Sequence, residues 1–91
     1  MDKVLEKAKE LRSAIEETNE FKEYIKNKEL LEKSEDVIEL KHNIANLRAR
    51  GKLDQAKNLE KLYEAHPLVN NYEASKEALY QLLKTIESII K

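Results

Sequence analysis

The chain has 91 residues and no cysteine. Its 17 basic and 18 acidic side chains are interleaved along the sequence and give a net charge of -1. This composition argues against nucleic acid as a partner, because phosphate binding needs a concentrated basic face, and it excludes disulfides and thiolate metal sites. No apolar run reaches the ~18 residues of a membrane span and no signal peptide begins the sequence, so we expect one cytoplasmic domain over residues 1–91, without membrane insertion.

Proline and glycine each occur only once, as Pro67 and Gly51. Proline is rarely tolerated inside a helix, and glycine there costs roughly 1 kcal/mol relative to alanine. A chain that nearly excludes both is predicted to be all-α. We expect a multihelical bundle of four or five helices that turns near these two residues and ends in a long C-terminal helix.

The first predicted helix carries four apolar residues at spacings of 4, 3 and 4, which places them on one helical face. Asp2 is available as its N-cap, and Thr18 and Asn19, two residue types favoured at caps, interrupt it. The four apolar residues are Val4, Ala8, Leu11 and Ile15.

Two further helices are predicted on either side of Ser34, whose side chain is typical of an N-cap. The earlier helix ends near Lys33, and the later one begins with Glu35 and Asp36, which suit the positive end of the helix dipole. The apolar face of the earlier helix is Phe21, Tyr24, Ile25 and Leu31, and that of the later helix is Val37, Leu40, Ile44 and Leu47.

The apolar spacing changes phase at Gly51, since continuing the previous face would place Gly51 and Asp54 on it. We therefore predict a break, with Gly51 as the C-cap and Asp54 available as the next N-cap. The alternative is one long helix over residues 35–65 whose halves face different neighbours. The apolar set after the break is Leu53, Ala56, Leu59, Leu62 and Tyr63.

His66 and Pro67 mark the next boundary, because the residue before proline is pushed out of the α region and proline suits the first helical position. The last predicted helix has up to 25 residues, Pro67 to Lys91, and a length of about 37 Å. Its apolar arc of about 200°, widened by Ile90 among others, exceeds the ~100° needed to lie on one core, so we predict a homodimer. The predicted interface residues are Tyr72, Leu79, Leu82, Leu83, Ile86 and Ile89.

No catalytic, cofactor-binding or metal-binding constellation is predicted, so we expect a non-enzymatic protein that acts through other proteins. His42 and His66 lack the partners of a site with three or four ligands, and Glu39 with His42 forms one Glu-x-x-His pair where a di-iron bundle needs two. We expect His42 to lie in solvent and His66 to have a structural role at its turn.

The densest basic patch is a candidate site for an anion or an acidic partner, and it consists of Arg48, Arg50 and Lys52. An enzyme alternative is a small all-helical chorismate mutase, which binds a dicarboxylate through several basic side chains. That fold begins with one very long helix, and the three arginines here (the third is Arg12) do not form a well-spaced set. A helical adaptor of unrelated role is a further alternative.

Several sequence stretches stand in a fixed order: VLEKAKEL at 4–11, IEETNEFKEY at 15–24, an Arg-Gly-Lys turn at 50–52, HPLVNNYEA at 66–74 and LYQLL at 79–83. This order resembles the YlbF/YmcA family of small helical bacterial regulators. The resemblance implies a dimer formed through long helices. It also implies a role in complexes that control competence, sporulation and biofilm formation through the membrane-bound ribonuclease Y and mRNA turnover. Some members carry C-terminal cysteines linked to iron–sulfur clusters; this sequence holds no cysteine, so no cofactor is expected.

Overall fold

The computed structural model describes residues 2–90, which form five helices and no strand. The helices are α1 (Asp2–Glu16), α2 (Asn19–Lys33), α3 (Glu35–Ala49), α4 (Leu53–Ala65) and α5 (Pro67–Ile90). The prediction of an all-α chain with a long C-terminal helix is therefore confirmed. The predicted helix end at Lys91 and the predicted apolar contribution of the Ile90 side chain lie outside the described part of the chain.

Hydroxyl side chains cap the starts of two helices. Thr18 Oγ1 accepts a hydrogen bond from the Phe21 N–H at 3.2 Å, and Ser34 Oγ accepts one from the Val37 N–H at 3.3 Å. Both bonds satisfy amide groups that have no partner inside their helix, so the two predicted breaks are confirmed. The N-cap prediction for Asp2 is wrong, because α1 already begins at that residue.

The chain also breaks at its glycine, as the phase change predicted, but the C-cap is Arg50 and Gly51 is the residue that follows it. Gly51 has a φ of 75°, in the left-handed region where a residue without a Cβ carries no steric penalty. The Lys52 N–H donates to the Leu47 carbonyl at 2.9 Å, and the Gly51 N–H donates to the Arg48 carbonyl at 3.0 Å. These two bonds form a Schellman motif, which ends α3 and excludes one continuous helix over residues 35–65.

Helix α4 differs from the prediction in its start and in part of its apolar face. It begins at Leu53 with Lys52 at the cap position, so Asp54 lies in the first turn and its N-cap prediction is wrong. Ala56 is buried, whereas Leu53 and Leu62 are each 59% exposed. The set chosen from spacing therefore includes two leucines that do not pack inside the chain.

The helices form two antiparallel pairs, α2 with α5 and α3 with α4. Along the first pair, Asn27 of α2 donates a hydrogen bond to the Asn71 carbonyl of α5, and the earlier Tyr24 stacks on the later Tyr72. The molecule measures 54 × 23 × 21 Å with a radius of gyration of 18.1 Å. A compact domain of this length has a radius of gyration of about 12 Å, so the fold is elongated.

The buried core lies where the ends of four helices meet. Leu31 of α2, Val37 of α3 and Val69 of α5 form its centre, and α4 contributes Tyr63 to its edge. The predicted face of α3 is confirmed, since Val37 and Ile44 are buried. Full burial of one such aliphatic side chain stabilises a fold by roughly 1.5–3 kcal/mol, so a centre of so few side chains gives this single chain a modest reserve of stability.

Candidate functional site

The C-terminal part of α5 extends past the start of its partner helix. Asn19, the first residue of α2, lines a groove together with Ala78 of α5, and α5 continues to Ile90. At 1.5 Å per residue, the part of α5 that follows Ala78 is about 18 Å long. We call residues 79–89 the α5 end.

The α5 end holds all but one of the predicted interface residues. Ile89 is 76% exposed and Leu83 is 40% exposed, and the neighbouring Tyr80 is 51% exposed. The half-buried members are Leu79, Leu82 and Ile86. The α5 end is therefore an apolar surface that this chain covers only in part.

The remaining predicted interface residue, Tyr72, packs inside the chain. Its ring centroid lies 5.6 Å from that of Tyr24, at an interplanar angle of 34°. Hydrogen bonding with Tyr24 is the main cause that raises the pKa of Tyr72 to about 12, and burial of the ring adds to it. One turn further along α5, the buried Ser75 donates its hydroxyl proton to the Tyr72 carbonyl at 2.9 Å.

Helix α1 carries a second apolar surface with little cover. Val4 is 75% exposed, Leu5 is 55% exposed and Leu11 is 37% exposed. Within residues 2–90, no Cα of α1 lies within 8 Å of a Cα of α3, α4 or α5, so α2 is its close neighbour. We call the apolar side of this helix, which carries Val4, Leu5 and Leu11, the α1 face. Contiguous exposed apolar surface of this kind marks sites of protein–protein interaction.

The sequence did not single out the α1 face as an interaction surface. Apolar residues at spacings of 4, 3 and 4 predict one apolar side of a helix, but they do not say whether that side packs within the chain. The face is exposed because, of the helices that follow Thr18, only α2 has Cα atoms within 8 Å of those of α1. This arrangement depends on contacts between distant segments. The broad arc of α5 was the more specific signal, because no single neighbour covers 200° of a helix.

The predicted basic patch lies at the turn between α3 and α4. Arg48 forms an ion pair with Glu60 of α4, so one of the three cations of the patch is already paired with a carboxylate. Arg50 occupies the C-cap position of α3 and Lys52 the position before α4, and both are exposed. The ion pair links α3 to α4, and the side chains of Arg50 and Lys52 face solvent.

The arginines considered for a dicarboxylate site lie apart. Arg12 pairs with Glu16 of its own helix at 3.3 Å, and Arg48 pairs with α4. The first helix ends at Glu16, so it is not the very long helix of the chorismate mutase alternative. Among the described residues, no group of three or more histidine, aspartate and glutamate side chains is arranged to hold a metal ion.

The two histidines lie in different surroundings. His42 is exposed on α3, as predicted. His66 is half-buried between α4 and α5, and its Nδ1 accepts a hydrogen bond from the Leu68 N–H at 3.1 Å. The structural role predicted for His66 at the turn is confirmed by this bond.

Comparison with known proteins gives one family. The family model Com_YlbF, described as control of competence regulator ComK, YlbF/YmcA, matches residues 4–91. No curated protein and no solved structure matches the chain. Over the described residues, no helix combines the length and the apolar character needed to cross a membrane.

Proposed function

The chain belongs to the Com_YlbF family, and on this premise we propose that it is a non-enzymatic regulatory protein that acts by binding other proteins. The observation that carries the proposal is the match of the family model over residues 4–91, nearly the whole chain. The α1 face and the α5 end support it, because both offer apolar surface to a partner.

The proposed regulation concerns competence, sporulation and biofilm formation, through complexes with ribonuclease Y that alter mRNA turnover. In this proposal the chain acts in the cytoplasm and binds the enzyme and not the RNA. Its balanced charge supports that division, since its 17 basic side chains are interleaved with 18 acidic ones. Binding to RNA phosphates would need a concentrated basic surface.

The proposed assembly is a homodimer formed through the α5 end. Ile89 and Leu83 supply exposed apolar area there, and half-buried Leu82 and Ile86 lie on the same side of the helix. The small core of the single chain supports this assembly, because a second copy would add apolar burial that one chain of this size lacks.

Sedimentation equilibrium of the full chain at micromolar concentration tests the assembly. We expect a species of twice the 10.7 kDa chain mass, and a stable monomer would remove the homodimer from the proposal. Capture on purified ribonuclease Y, with and without added nuclease, tests the regulatory role. Retention that survives RNA removal is expected, and retention that depends on RNA would contradict binding to the enzyme itself.

A further inference from the structure

His66 is the single residue between two helices and serves both of them. Its N–H donates to the Tyr63 carbonyl at 3.1 Å, which closes the last turn of α4. Its carbonyl accepts from the Asn70 N–H at 3.0 Å, which opens the first turn of α5. His66 is therefore the C-cap of α4 and occupies the N-cap position of α5.

The imidazole of His66 supplies the side-chain cap of α5. Pro67, the first residue of α5, has no N–H, so the Leu68 N–H is the first amide of the helix that needs a partner. It donates to Nδ1 of His66 at 3.1 Å. At the starts of α2 and α3, the hydroxyls of Thr18 and Ser34 perform the same task.

These three caps differ in one chemical respect. A hydroxyl oxygen accepts a hydrogen bond at any physiological pH, whereas an imidazole nitrogen accepts one only while the ring is neutral. Once protonated, both ring nitrogens are donors, and the Leu68 N–H then faces another N–H. The positive charge would also lie at the positive end of the α5 dipole, which is unfavourable.

The surroundings of His66 hold no other group that ordinarily changes charge in the same pH range. Among the described residues, no carboxylate oxygen lies within 4.0 Å of its ring nitrogens, so no ion pair compensates the imidazolium. Carboxylates ordinarily titrate near pH 4 and tyrosines near pH 10, while histidine titrates near pH 6.5. The charged or titratable side chains on the adjoining turns of α2 to α5 are Glu32, Lys33, Glu35, Asp36, Tyr63, Glu64, Tyr72 and Glu73.

We propose that His66 is a pH-sensitive cap, whose protonation releases the start of α5 and loosens the junction between the two helix pairs. Leu68, whose N–H is released, packs against the buried centre formed by Leu31, Val37 and Val69. The bond from the Leu68 N–H to Nδ1 requires that nitrogen to be unprotonated. Its contribution to the junction is therefore present with the neutral ring and is lost on protonation, which acid favours.

Urea unfolding of the full chain at pH 7.5 and pH 5.0 tests the proposal with three proteins at one concentration. The proteins are the wild type, His66→Asn and His42→Asn. Asparagine is a good N-cap that does not titrate. Loss of a cap costs ~1 kcal/mol, so we expect the wild-type unfolding constant to rise about fivefold more than that of His66→Asn between the two pH values. His42→Asn, at the exposed histidine, should follow the wild type.

Amide exchange of the unaltered protein provides a second test that needs no variant. After correction for the intrinsic rate, protection of the Leu68 amide should fall at pH 5.0 relative to that of Phe21 and Val37, whose caps are hydroxyls. Equal pH dependence of unfolding in the wild type and His66→Asn would overturn the proposal. An unchanged ratio of Leu68 protection to Phe21 and Val37 protection would overturn it as well.

Discussion

Tyr72 of α5 stacks on Tyr24 of α2 and holds its own proton more tightly than a free phenol. Its pKa is raised to about 12, first by hydrogen bonding with Tyr24 and then by burial, whereas an unfolded tyrosine titrates near 10. The unfolded chain therefore loses this proton at a lower pH than the folded chain. The contribution of Tyr72 to stability is complete below about pH 10 and is lost as the pH rises through about 12.

Tyr72→Phe removes this titration. We expect the urea midpoint of the variant to fall less than that of the wild type between pH 9 and pH 11.5. Tyr80→Phe is the matched control, because Tyr80 lies on the same helix and is 51% exposed. It should keep the wild-type pH dependence. If the two variants behave alike, the contact between Tyr24 and Tyr72 does not cause the alkaline loss of stability.

The two hydroxyl caps could be predicted from the sequence, whereas contacts across the fold could not. Ser34 and Thr18 cap amides three positions away, so their roles follow from residue type and position alone. The contact between Tyr24 and Tyr72 depends on how α2 and α5 pair, and the spacing of apolar residues predicts the faces but not the pairing.

At the level of helices, phase changes and special residues located the breaks, while packing decided which faces are covered. The break at Gly51 was predictable because the apolar face shifts there and glycine adopts a positive φ. The exposure of Leu53 and Leu62 on α4 was not predictable, because spacing does not show how much of an apolar face a neighbouring helix covers. The N-cap prediction for Asp54 was wrong because the chain continues directly from the Schellman motif through Lys52 into α4, which begins at Leu53.

Gly51→Ala tests the turn between α3 and α4. No heavy atom lies within 4 Å of a Cβ built at this position, so steric contact contributes nothing to the expected loss. The φ of 75° is left-handed, and it costs an alanine roughly 1–2 kcal/mol. We expect Gly51→Ala to lower the free energy of unfolding by about that amount in urea titrations.

Gly51→Asn is the control for this substitution, because asparagine tolerates the left-handed region better than alanine and also occurs after helix ends. Its loss of stability should be smaller than that of Gly51→Ala. Equal losses in the two variants would mean that backbone conformation does not govern this turn.

For the whole molecule, the elongated shape is the feature that the sequence did not predict. The expected multihelical architecture is confirmed, and within it the described chain forms two helix pairs joined at one small core, with α2 the one helix whose Cα atoms lie within 8 Å of those of α1. The apolar face of each helix follows from local spacing, whereas the pairing of the helices does not. The arrangement of the pairs depends on contacts that Leu31 and Val37 make with Val69, which is distant from both in the sequence. An elongated chain exposes more apolar surface than a compact one, which is consistent with a function in binding.

The proposed dimer is best tested at a residue that the single chain does not need. Ile89 is 76% exposed, so a lysine there should leave the fold of one chain unchanged. In a dimer formed through the α5 end, the same lysine would be a buried charge without a partner, which costs several kcal/mol. We expect Ile89→Lys to weaken dimerisation at least about 100-fold, since each 1.4 kcal/mol is a factor of ten. Leu82→Lys is less informative, because Leu82 is half-buried within the chain itself.

Ser88→Lys is the matched control for Ile89→Lys. Ser88 is exposed on the same turn and lies about 200° around the helix from Ile86, away from the proposed interface. Sedimentation equilibrium should show a dimer for the wild type and Ser88→Lys and a monomer for Ile89→Lys, with equal helix content by circular dichroism. A dimer of wild-type affinity in Ile89→Lys would place the contact between subunits elsewhere. The α1 face would then be the first surface to alter, because Val4 and Leu5 are its most exposed apolar side chains.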